Sequence, residues 1–86
     1  MKKGMAGSLE SNDCLITVTP SDTLEIEIKS IVYDFFKDQI EKVIKDTLQE
    51  LEIKKIKVIV EDKGALDYTI KARLKTAIKR MGEIDA

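Results

Sequence analysis

The chain has 86 residues, 43% of them hydrophobic and 36% charged, with a net charge of −1. That is material for one small core under a densely charged surface and not for two domains, and a domain of this size buries only about 60–65% of its unfolded surface. Near-neutral charge with two Phe, two Tyr and no Trp argues against the basic, aromatic-studded footprint of a nucleic-acid binder.

Residues 1–12 read as a flexible arm, with Gly4 and Gly7, Ser8 and Ser11, and no clear periodicity. The single folded domain is expected over 13–86. Asp13 to Thr19 predicts a strand, because Cys14, Ile16 and Val18 alternate with Leu15, Thr17 and Thr19. Pro20-Ser21-Asp22 signals a turn. Leu24 to Lys29 is the cleanest alternation, with Leu24, Ile26 and Ile28 on one face and charges on the other. These two strands are expected to form a hairpin.

Ser30 is a candidate N-cap. From Ile31 to about Leu51 a helical stripe runs through Val32, Phe36, Ile40, Val43, Ile44, Leu48 and Leu51. Asp38–Lys42 and Glu41–Lys45 are i,i+4 pairs worth about 0.2–0.5 kcal/mol each. Ile56 to Glu61 predicts a third strand, Asp62-Lys63-Gly64 a turn, and Ala65 to Met81 a second helix. The stripe of that helix is Leu66, Ile70, Leu74, Ala77, Ile78 and Met81, and Gly82 stops it. The expected fold is α+β, a two-layer sandwich: a three-stranded sheet with two helices on one face, in the order β-β-α-β-α. Leu15 and Ile59 fall on the opposite sheet face, as ordinary exposed apolars or as part of a partner-facing patch.

The chemical inventory is short. No His is present, which removes the commonest general base, the commonest metal ligand and every Ser-His or Cys-His pair. Neither a phosphate-binding loop nor a dinucleotide fingerprint appears. No catalytic residue and no metal ligand is assigned. Cys14 cannot form an internal disulfide and, facing inward, reads as a small apolar core residue. Asp62 and Asp67 read as turn and helix-start residues. No run reaches the roughly 18 apolar residues of a membrane span, and Lys2 and Lys3 precede no apolar leader segment. Residence in the cytoplasm without a membrane or nucleic-acid partner is expected. A serine in a loop is not a nucleophile without a base, so Ser11 fits a modification acceptor better than a catalyst. Lys71, Arg73, Lys75, Lys79 and Arg80 on the second helix form a solvated basic face or a dock for an acidic partner or for phosphates, with Lys71, Arg73 and Lys75 as the docking candidates.

The stretch Ala6-Gly7-Ser8-Leu9-Glu10-Ser11-Asn12-Asp13 resembles the N-terminal AG-(T/S)-LES-x-D segment of the acyl carrier protein, or gamma subunit, family of citrate lyase. Asp62-Lys63-Gly64-Ala65-Leu66-Asp67 matches that family's DKGALD stretch. Ala72-Arg73-Leu74 matches its RARL-like segment, with Lys71 in place of the first Arg. Ser30, Val32, Phe36, Asp38 and Ile40 fall in register with its long helix. Tyr68 stands where a Cys is common, and Tyr33-Asp34-Phe35 and Lys37 depart from the pattern.

The resemblance implies that Ser11 carries 2'-(5''-phosphoribosyl)-3'-dephospho-CoA through a phosphodiester, making the chain a phosphoprotein. The thiol of that prosthetic group would shuttle acetyl and citryl thioesters between the alpha (acyl transferase) and beta (lyase) subunits, in citrate cleavage to oxaloacetate and acetate during citrate fermentation. A prosthetic-group transferase would be a further partner, reading Glu10 and Asp13 beside Ser11. On this reading the chain is a non-catalytic carrier subunit. The alternatives are the carrier of a related lyase acting on citramalate, and a non-catalytic protein or RNA interaction module.

Overall fold

Strands 14–19 and 56–62 each bury every second residue, and both lie inside the sheet. A computed structural model describes residues 2–30 and 33–82, with side chains described for 2–30 and 36–82. Ile31 and Val32, expected in the first helix, lie outside the described residues. The elements are β1 (Gly4–Gly7), β2 (Cys14–Thr19), β3 (Leu24–Ser30), α1 (Tyr33–Glu50), β4 (Ile56–Asp62) and α2 (Asp67–Met81).

The sheet has four strands in the order β1-β2-β4-β3, not the expected three. The added strand, Gly4–Gly7, falls in the segment read as an arm. It pairs antiparallel with β2, from Gly4 opposite Val18 to Gly7 opposite Leu15. The glycines read as slack are there for close packing. A Cβ on Gly4 would lie 1.8 Å from the Ala77 carbonyl oxygen of α2, so only glycine lets helix and strand approach. Gly7 has φ 104, and a Cβ there would lie 1.8 Å from the Cys14 oxygen. Ala6 between them is buried.

The expected hairpin of β2 with β3 does not form, because β4 lies between them. It pairs antiparallel with β2 (Ile16 opposite Val60) and parallel with β3 (Ile28 opposite Val60). The reason lies in α1. A helix joining two strands of one sheet packs its apolar stripe back on that sheet, which returns the chain parallel to the strand it left. Ile56, Val58 and Val60 of β4 are fully buried, whereas β3 carries Glu25, Glu27 and Lys29 on its outer face and takes an edge. The other edge, β1, is partly blocked by Arg80, whose guanidinium donates to the Met5 carbonyl at 2.8 Å.

Both helices cover one face, as expected. α2 packs on β1 and β2, and α1 packs on β3 and α2. Ile40, Ile44 and Leu48 of α1 meet Ile70, Leu74, Ala77 and Ile78 of α2 and the inward residues of β2 and β4 in one core. Two stripe residues depart from expectation: Phe36, in the first turn of α1, is 47% exposed, and Leu66, the residue before α2, is 59% exposed. Ser30, expected as a cap, ends β3 and donates to Asp62 Oδ2 at 2.9 Å. The pair Glu41–Lys45 forms at 2.9 Å, and Lys42 pairs with Asp46. Leu15 and Ile59 sit half-buried on the open sheet face.

Candidate functional site

Sheet register gathers three segments at one end of the molecule. Cys14 is opposite Asp62 and Ser30 is opposite Asp62. The β1–β2 loop (residues 8–13), the start of α1 and the start of α2 therefore share that end. The positive ends of both helix dipoles point the same way.

Backbone bonds brace the loop. The Ser8 N–H donates to the Cys14 oxygen at 3.1 Å, and the Asp13 N–H to the Glu10 oxygen at 3.2 Å. The Asn12 N–H donates to the Lys63 oxygen at 2.8 Å, and the Lys63 N–H donates back to the Asp13 oxygen at 2.9 Å. Asn12 takes φ 68, a left-handed conformation that Asn tolerates better than most residues.

Asp13 ties this loop to α2. Its carboxylate accepts from Arg73 twice, Nε to Oδ1 and Nη2 to Oδ2, both at 3.1 Å. It also accepts from the Ser8 hydroxyl at 2.8 Å and from the Cys14 N–H at 2.7 Å. Bidentate, charge-assisted pairs of this kind fix geometry as well as add energy. The Arg73 fork, then the Ser8 hydroxyl and the Cys14 N–H, hold the Asp13 carboxyl at about 2, against 3.8 for an ordinary aspartate. Asp13 in turn raises the Arg73 guanidinium. Burial pushes the Cys14 thiol up to about 12, which makes it an inert core residue.

The two loop serines are thereby separated. The Ser8 hydroxyl donates to Asp13 and accepts from the Glu10 N–H at 3.3 Å. Ser11 is exposed at the tip, and none of the hydrogen bonds found among the described residues involves its hydroxyl. Glu10 beside it is exposed, whereas Asp13 is half-buried in the brace. Three basic residues of α2 are paired within the chain: Arg73 with Asp13, and Lys71 and Lys75 with Glu50 at 3.0 and 3.4 Å. Nothing local announced the Asp13–Arg73 pair, whose partners lie 60 residues apart. Asp62 is buried and accepts from the Ala65 N–H at 2.9 Å as well as from Ser30, so it builds the turn into α2. Asp67 accepts from Gln39 Nε2 at 2.9 Å. Among the described residues no group of three or more His, Cys, Asp or Glu is placed to hold a metal ion, and no helix is long and apolar enough to cross a membrane.

The site is a braced loop on a small α+β body, with Ser11 exposed at its tip. The family described as malonate decarboxylase delta subunit (MdcD), an acyl carrier protein family, matches residues 1–81. The citrate lyase acyl carrier protein of Treponema denticola is 48% identical over 82 residues, covering 95% of this chain and 94% of that one. Those of Halothermothrix orenii (46%, 87% of this chain and 81% of that one) and Cronobacter sakazakii (46%, 96% and 87%) are similar too. A chain of a Pseudomonas malonate decarboxylase hetero-tetramer, solved in complex with malonate, shares the fold with a TM-score of 0.82 at 16% identity, over 94% of this chain and 84% of that one. The chain belongs to the citrate lyase acyl carrier protein family, and it is a carrier subunit rather than a catalytic one.

Proposed function

We propose that this chain is the acyl carrier of a citrate lyase and that Ser11 is its attachment point. The observation that carries the reading is the contrast between the serines: the Ser8 hydroxyl is spent inside the loop, and the Ser11 hydroxyl is exposed at its tip. An acceptor must be reached by another enzyme's active site, since this chain holds no His to activate a hydroxyl itself. The group that fits is 2'-(5''-phosphoribosyl)-3'-dephospho-CoA, joined by a phosphodiester; when bound it supplies a thiol that carries acetyl and citryl between the alpha and beta subunits. The two helix starts favour phosphates at this end, and Glu10 opposes them. What the chain's own residues do is hold the attachment point. Asp13 and Arg73 set the loop, Asn12 and Lys63 fasten it to the end of β4, and the folded body tethers the arm near its partners, which raises its effective concentration there.

A decarboxylase carrier is the second reading, favoured by the malonate decarboxylase description of the matching family. Identity weighs against it: 46–48% to the citrate lyase carriers and 16% to the malonate decarboxylase chain. Intact mass of protein purified from its native host tests the assignment. The chain should exceed its sequence mass by the nucleotide arm, Ser11→Ala should lack the increment, and Ser8→Ala should keep it. An increment that persists on Ser11→Ala refutes the site.

A further inference from the structure

Six large apolar or aromatic side chains are exposed among the described residues, and four of them stand at the Ser11 end: Leu9, Phe36, Leu66 and Tyr68. Phe36, Leu66 and Tyr68 line an apolar groove of about 510 Å³ between the starts of α1 and α2, floored by Ile40 and Ala65. The groove approaches the acceptor loop at Gly64. Gly64 lines it, and a Cβ on Gly64 would stand 3.6 Å from Asn12 Oδ1, one residue from Ser11. On the basic face of α2, Lys71 and Lys75 pair with Glu50 and Arg73 pairs with Asp13.

We propose that this groove and Leu9 form the surface on which the enzyme that loads Ser11 docks. The inference rests on Ser11 being the acceptor. Subunits that work on the far end of a long arm need not touch its root. The loading enzyme must bring a phosphorus atom within about 3–3.5 Å of the hydroxyl itself, so its contact includes whatever surrounds Ser11. Loading forms the Ser11 Oγ–P bond and breaks a P–O bond of an activated nucleotide donor. The attacked phosphate stays on Ser11, the rest of the donor's phosphate chain leaves with the electron pair, and the hydroxyl proton passes to a base of the enzyme. An enzyme holding such a donor presents a basic pocket, which Glu10 beside Ser11 complements, and exposed aromatic and Leu side chains around the acceptor supply the apolar anchors of an interface.

The test uses the full apo chain, a prosthetic-group transferase that loads the wild type, its nucleotide donor, and intact mass as readout. In Leu66→Ser/Tyr68→Ser both sites are exposed and circular dichroism checks the fold; the KM for the carrier should rise roughly tenfold, with kcat within about twofold. Lys71→Ala/Lys75→Ala should load with the wild-type KM. An unchanged KM in the Leu66→Ser/Tyr68→Ser chain overturns the docking surface. So does sedimentation showing a wild-type dimer that the same variant abolishes, because the groove then belongs to a second copy. Wild type and variant loading alike sinks the dock alone, whereas a mass gain on Ser11→Ala sinks the acceptor assignment beneath it.

Discussion

Asp13 fastens the loop that holds Ser11. Flanking Ser11, it was expected to be read by the modifying enzyme. In the fold its carboxylate is shared among Arg73, Ser8 and the Cys14 N–H. Its carboxyl is lowered from 3.8 to about 2, so the stabilisation it lends the loop is complete above about 3.8 and fades as pH falls toward 2. NMR of the Asp13 carboxyl carbon should therefore titrate near 2 in the wild type, and in Arg73→Ala should move back toward 3.8. A midpoint near 3.8 in the wild type would show that the fork does not form. Arg73→Lys should recover only part of the shift, since an ammonium keeps the charge but not the two-pronged geometry.

At the scale of elements, the ends of the helices repay comparison. α2 stops at Gly82, which has φ 95 and an N–H shared between the Ile78 and Lys79 carbonyls. α1 stops the same way but with Glu52 in the left-handed position at φ 58; the Glu52 N–H donates to the Gln49 oxygen and the Ile53 N–H to the Leu48 oxygen. A side chain in that conformation costs about 1–2 kcal/mol. Glu52→Gly should thus stabilise the chain by about 0.5–1 kcal/mol net of the added freedom of the unfolded state, read as a higher urea midpoint at constant m. No gain would mean that the exposed Glu52 side chain contributes something the backbone account leaves out.

For the molecule as a whole, the question is what the first seven residues do. If they were slack, removing them would leave stability unchanged. As β1, residues 4–7 place Ala6 in the core and pack on β2 and α2, so a chain beginning at Ser8 should lose about 3 kcal/mol or more of a margin that is small in domains of this size. A urea titration of the shortened chain decides it, and an unchanged midpoint would return the segment to an arm. The reach of the attached group then comes from its own length and not from a pliable leader. The sequence by itself determined what is local and periodic. Alternation set β2, β3 and β4, the apolar stripes set α1 and α2 to within a few residues, and the two motifs pointed to the carrier family. Only the tertiary structure decided which strands are neighbours, that Gly4 and Gly7 are packing glycines, and that Asp13 belongs to Arg73. Short apolar segments carry no register of their own, four residues such as Gly-Met-Ala-Gly have too little pattern to read, and a pair 60 positions apart is brought together by the core and by nothing adjacent in the chain.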